Sequence, residues 1–234
     1  MAEDRVVEQR AAPLLGEPRP VQYPDSDGLQ MAEDDEHWEA IMSIRMPLQQ
    51  LFRGCADTYV VGDLLLYYRK NDRRRSVAPD VMVVKGVDPG PRRSYLLWEE
   101  GRPPDFVVEV HSPDSRDYDR GEKRELYARL GVREYFVFDP LYEEEGRAGD
   151  LRGYRLWGGR LVELDARGEL RSDELELSLR AEGKRVRVRD LRTGQDLPWF
   201  DEEAEARQAA EARVADLEAL LRDANALPRK PVGQ

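Results

Sequence analysis

Pro104-Asp105-Phe106-Val107-Val108-Glu109-Val110-His111 reads as a buried β-strand with an acid in its middle. β-Branched and aromatic residues dominate the run, and Pro104-Asp105 marks its start. A second stretch, Ala78-Pro79-Asp80-Val81-Met82-Val83-Val84, sets another carboxylate at the head of an apolar strand. Acids are costly on buried strands unless they are paired or used. Alternation puts Phe106, Val108 and Val110 on one face and Val107, Glu109 and His111 on the other. Asp80 shares its face with Met82 and Val84. If the two strands are neighbours, Asp80 and Glu109 converge at one end of a sheet. Two close carboxylates repel, so such a pair calls for a cation or a proton between them.

The chain after the Glu109 strand supplies a third group. Asp117 or Asp119 can cap a helix running from about Arg120 to Leu130, which Gly131 is placed to end. Lys123 falls in its first turn, with Tyr127 four residues on and on the same side. Mg²⁺ suits carboxylates, a backbone carbonyl and waters. A lysine beside a metal-bound water can position it or stabilise charge as a phosphate is attacked. Asp80, Glu109 and Lys123 around Mg²⁺ therefore form a kit for hydrolysing a phosphodiester. Each also has an ordinary reading: a turn former for Asp80, a buried salt bridge for Glu109, a surface lysine for Lys123. His111 stands either beside the metal or as a packing residue. His37 opens the first helix next to Glu36 and near Glu39, and one of these acids can extend a metal site. Ser112 has no His–Asp arrangement to make it a nucleophile. P-loop, dinucleotide-turn and CxxC patterns are missing.

Outward from this centre, residues 1–35 read as an acidic, partly disordered arm. Residues 36–197 form the main domain, 198–226 a charged C-terminal helix and 227–234 a disordered tail. Glu36 to Phe52 has the spacing of an amphipathic helix that Pro47 should kink or break. Tyr59–Val61 and Leu64–Tyr68 look like strands joined in a hairpin at Gly62-Asp63, with a further turn at Asn71-Asp72. A short helical piece is expected near Tyr95–Glu100. Glu134–Phe138 is a strand stopped by Asp139-Pro140. Short strands at Gly153–Trp157, Arg160–Leu164, Leu175–Leu179 and Val186–Val188 suggest an antiparallel appendage on the main sheet. Ala210, Leu217 and Ala224 recur every seven residues, with Val214 and Leu221 between them. That gives about two heptads of coiled-coil character and predicts a homodimer. The element order implies an α/β (α+β) fold with a mixed sheet flanked by helices.

The 234 residues are 40% hydrophobic and 36% charged, with a net charge of −11. Such acidity argues against strong non-specific nucleic-acid binding. Two basic clusters interrupt it: Arg69, Lys70, Arg73, Arg74 and Arg75, and Lys184, Arg185, Arg187, Arg189 and Arg192. Both read ordinarily as solvated faces, and alternatively as phosphate contacts. The single cysteine, Cys55, excludes an internal disulfide and fits a cytoplasmic protein. The sequence lacks an apolar run long enough for a membrane span and lacks a secretory signal.

The stretches Val77–Val84, Pro104–Val110, Asp119–Ala128 and Gly131–Pro140 resemble, in this order, the Uma-two family of endonucleases in the PD-(D/E)xK, restriction-endonuclease-like superfamily. The likeness runs from about Glu36 to Trp157. It implies an αβββαβ core with a central mixed sheet. It also implies a Mg²⁺-dependent enzyme (Mn²⁺ as substitute) acting on DNA, with Asp80 and Glu109 as metal ligands and the Val110 carbonyl as a further one. The superfamily's lysine usually follows the second acid by two residues, where this chain has His111. The resemblance places it instead at Lys123 on the next helix. A catalytically impaired module that binds nucleic acid or assembles with protein is the alternative. Hydrolysis of a glycoside by the two carboxylates is disfavoured by Lys123.

Overall fold

The computed structural model describes residues 23–24, 35–111, 119–144, 147–165 and 168–226. The expected disordered arm, apart from residues 23–24 and 35, and the expected tail lie outside the described residues, as do Ser112 and the Asp117 cap. Helix α1 is Asp35–Leu51. The strands are β1 (Thr58–Val61), β2 (Leu66–Tyr67), β3 (Ser76–Val77), β4 (Val81–Lys85), β5 (Tyr95–Leu96) and β6 (Phe106–Val110). They continue with β7 (Glu134–Glu144), β8 (Arg147–Trp157), β9 (Arg160–Glu163), β10 (Leu170–Ser172), β11 (Leu177–Glu182), β12 (Arg185–Asp190) and β13 (Gln195–Asp196). Helix α2 (Leu97–Glu100) follows β5, α3 (Arg124–Leu130) follows β6, and α4 (Phe200–Ala226) comes last.

The central sheet runs β1-β4-β6-β7-β8-β9. It is mixed: β6 and β7 are parallel and the other neighbours antiparallel. A parallel pair needs a crossover, and α3 supplies it. The expected αβββαβ order is met by α1, β1, β4, β6, α3 and β7, with β2, β3, β5 and α2 inserted. One face of the sheet carries Val81, Val83, Phe106, Val108, Val110, Phe136 and Phe138, covered by α1 and the β10–β13 sheet. The other carries Met82, Val84, Val107, Tyr135 and Val137, covered by α3 and the small β3-β2-β5 sheet.

Four expectations are corrected. Pro47 lies inside α1, which continues to Leu51. Ile41, Ile44 and Leu48 are buried; at roughly 1.5–3 kcal/mol each they outweigh the ~3 kcal/mol cost of an interior proline. Gly62-Asp63 is not a hairpin turn. Thr58↔Lys85 through Val61↔Met82 and Leu66↔Val77, Tyr67↔Ser76 belong to one register. β1–β2 and β3–β4 are thus the two arms of one long hairpin, bent at Gly62-Asp63 and turning at the basic Arg69–Arg75 tip. Asp139-Pro140 does not stop β7; the register shifts between Asp139 and Glu143, and proline is tolerated at such irregularities. Finally, only β8 and β9 extend the main sheet, while β10–β13 form a separate sheet stacked on it.

Candidate active site

Asp80 is placed by the bend in the long hairpin. The Asp63 N–H donates to the Pro79 carbonyl (3.0 Å). A Cβ on Gly62 would collide with the Asp80 carbonyl oxygen, so only glycine allows this approach. Continuing the β4–β6 register one step beyond Val81↔Val108 sets Asp80 opposite Glu109. Paired residues share a face, with Cβ atoms about 4.5–5.5 Å apart. Asp80 Oδ2 accepts the Val110 N–H at 2.6 Å, which locks the carboxylate to the end of β6.

Glu109 is 1% exposed and lies on the face covered by α3. Its Oε2 stands 2.9 Å from Lys123 Nζ. Its Oε1 accepts the Tyr127 hydroxyl at 2.5 Å. Burial, then the adjacent Glu109 charge, pushes the Tyr127 phenol well above its ordinary range, so it remains a donor. A π-helical turn, Asp119–Lys123, leads into α3 and ends on Lys123, the residue that meets Glu109. Gly131 ends α3 in the left-handed conformation, as expected from its position.

His111 also lies on this face and is buried. Its Nδ1 is 3.9 Å from Asp139 Oδ2. Asp139 was expected only as a strand stop; its alternation with Tyr135 and Val137 is the signal that places it beside His111. Glu36 and Glu39 take other partners: Lys184 at 2.5 Å for the first, and Arg185 for the second. His37 is buried in α1.

Other buried acids show what a purely structural carboxylate looks like here. Glu134 accepts from Ser172 (2.5 Å) and the Asp173 N–H (3.0 Å) and pairs with Arg155 (3.0 Å). Asp105 accepts the Lys85 N–H at 2.7 Å. Both tie strand ends to neighbouring segments. Glu109 instead gathers a lysine, a phenol and a second carboxylate at the end of β6, where Asp80 and Lys123 are partly exposed.

Among the described residues, no group of three or more His, Cys, Asp or Glu side chains is placed to hold a metal. The Asp80 and Glu109 carboxylates and the Val110 carbonyl, at neighbouring ends of β4 and β6, are all oxygen donors. That chemistry fits Mg²⁺, which takes one or two carboxylates and fills its remaining sites with water and phosphate oxygens. Among the described residues, no helix is long and apolar enough to cross a membrane.

A central mixed sheet flanked by helices, with its parallel pair joined by a helical crossover, is the architecture expected of a restriction-endonuclease-like fold. Residues 13–184 match the Uma2 family, described as "Putative restriction endonuclease", and the chain belongs to that family. A similar solved structure is that of a "putative nuclease belonging to DUF820" from Anabaena variabilis. It is 13% identical, with 51% of this chain and 68% of that chain covered and a TM-score of 0.38. Among curated proteins nothing matches. By family the protein is classed as a nuclease.

Proposed function

We propose that the protein is a divalent-metal-dependent endonuclease that hydrolyses DNA phosphodiester bonds, with Asp80, Glu109 and Lys123 as its catalytic groups. The observation that carries this reading is the pairing of Lys123 with Glu109 at 2.9 Å, directly across the register from Asp80. Asp80, Glu109 and the Val110 carbonyl would hold Mg²⁺, or Mn²⁺ in its place. Such an ion would supply Lewis acidity and make a nearby water easier to deprotonate. Lys123 holds positive charge next to the scissile phosphate and offsets the charge that develops on its oxygens. Tyr127, fixed as a donor, orients the Glu109 carboxylate. The Val110 N–H does the same for Asp80.

Incubation with supercoiled plasmid and Mg²⁺ or Mn²⁺ tests this proposal. Nicked or linear product is expected from the wild type, and none from Asp80→Ala or Glu109→Ala. Cutting that survives both substitutions would overturn the site assignment.

A second reading is a catalytically impaired nuclease fold that serves as a nucleic-acid-binding or assembly module. It is favoured by His111, which stands where the superfamily's lysine usually does and is buried against Asp139. Calorimetric titration separates the two, because carboxylate-dependent binding of a divalent ion counts against an impaired site. We also propose that the protein forms a homodimer through α4, whose Val214, Leu217 and Leu221 are exposed.

A further inference from the structure

The two basic clusters have opposite fates. In the second, every cation meets a carboxylate. Lys184 pairs with Glu36, Arg185 with Glu39 and Asp201, Arg187 with Glu182 and Glu202, Arg189 with Asp196, and Arg192 with Asp190. Arg187 also lies over the Trp199 ring at 3.4 Å. These charges fasten α1, β12 and the start of α4 together and are already spent. In the first cluster, Arg69, Lys70 and Arg73 are exposed and make no salt bridge among the described residues. Arg74 and Arg75 share the single carboxylate of Asp72, at 4.0 and 3.8 Å. Five cations against one acid leave the tip at +4, on a chain whose net charge is −11.

This charge sits on an ordered platform. The Tyr68 N–H donates to the Arg75 carbonyl (3.0 Å) and closes the ladder. Asp72 Oδ1 accepts the Arg74 N–H (3.2 Å), and Asn71 takes the left-handed conformation at φ 65°. The Tyr23 hydroxyl accepts the Asn71 N–H at 2.7 Å, and its ring leans on Tyr67 and Trp98, each at 5.0 Å. The platform is tied to the candidate active site, because the same hairpin carries Asp80 at its bend. From Asp80 to Arg75 is five residues of extended chain, at most about 17 Å. That spans about five nucleotide steps at 3.4 Å each. The small sheet built on this hairpin covers the same face of the central sheet as α3.

We propose that the Arg69–Arg75 tip is a clamp for the phosphodiester backbone of the nucleic acid flanking the bond to be cut. It rests on the nuclease reading and extends it to how an acidic protein holds a polyanion. Arg69, Lys70 and Arg73 contact phosphates, not bases, so the clamp contributes affinity without sequence preference.

The test uses the full chain and a fluorescein-labelled 30-base-pair duplex, with Ca²⁺ to limit cleavage, read by anisotropy over a range of salt. Arg69→Gln/Lys70→Gln/Arg73→Gln should bind about tenfold or more weakly near 0.1 M salt, with a salt slope shallower by roughly 2.7 for three lost phosphate contacts. Arg53→Gln/Arg102→Gln/Arg160→Gln, at the opposite end of the sheet, should bind as the wild type does. Hydrolysis of bis(p-nitrophenyl) phosphate, a diester without flanking phosphates, should be unchanged in the tip variant. Wild-type affinity and slope in the tip variant, while the wild type cuts plasmid, would overturn the clamp alone. So would equal losses in the control, a loss of small-diester hydrolysis in the tip variant, or preference for phosphatidylserine vesicles over duplex. A wild type that neither binds duplex nor cuts plasmid would overturn the clamp and the nuclease reading together.

Discussion

Lys123→Met removes the cation that stands 2.9 Å from Glu109 Oε2. Glu109 is 1% exposed, accepts the Tyr127 hydroxyl and has a second carboxylate opposite it in the register. Removing one member of a buried pair costs about 3–5 kcal/mol, most of it the uncompensated charge left behind. The lysine side chain is 14% exposed, so water reaches the gap and the lower end, about 3 kcal/mol, applies. At about 2–4 °C per kcal/mol for a chain of this size, Tm should fall by about 6–12 °C in metal-free buffer. Mg²⁺ can replace the missing positive charge. At 100 times its Kd it contributes about 2.7 kcal/mol, enough to restore most of the loss. Activity on plasmid should fall about 100-fold or more, because that charge also faces the phosphate. Melts with EDTA and with Mg²⁺, alongside gel assays, check all three. A Lys123→Met protein that melts with the wild type in EDTA and cuts at the wild-type rate refutes the role given to this pair.

Other perturbations separate placement from chemistry. Gly62→Ala drives a methyl group into the Asp80 carbonyl; overpacking of this kind costs about 1–3 kcal/mol, and cleavage should drop more than a surface substitution would allow. Thermal melts and plasmid assays on the same sample read both effects. Hydrogen bonds from Arg187, Arg185 and Arg180 hold Glu202, Asp201 and Asp196 below the usual carboxylate range. Folded-state values below the unfolded ones stabilise above about pH 4, and the gain is lost as pH falls through the folded values. Tm should therefore fall between pH 5 and pH 3, and less steeply in Glu202→Gln. Light scattering of the full chain should give twice the monomer mass, and deletion of residues 198–234 should give a monomer; monomers in both would remove the dimer.

The site was legible where its logic is local. Alternation alone put Glu109 and His111 on one face, and the i, i+4 spacing put Lys123 and Tyr127 on one side of a helix. Both patterns follow from backbone geometry that neighbouring residues cannot change. The bend at Gly62-Asp63 was misread because glycine serves equally as a turn former and as a point of close backbone approach. Only the Asp80 carbonyl, contributed by the opposite arm of the hairpin, decides between them. Pro140 was misread for a related reason, since a bulge lets a strand pass through a residue that ordinarily ends it. The partners of the basic residues were least accessible. Lys184 and Glu36 are 148 positions apart, and nothing in either neighbourhood distinguishes a neutralised cation from a free one.

Anomalous diffraction from a Mn²⁺-soaked crystal tests the central claim most directly. The account predicts an ion about 2.1 Å from a carboxylate oxygen of both Asp80 and Glu109, with Lys123 within reach of its open side. An ion bound elsewhere, or a Glu109 held by Lys123 and Tyr127 with no metal at saturating concentration, would contradict it.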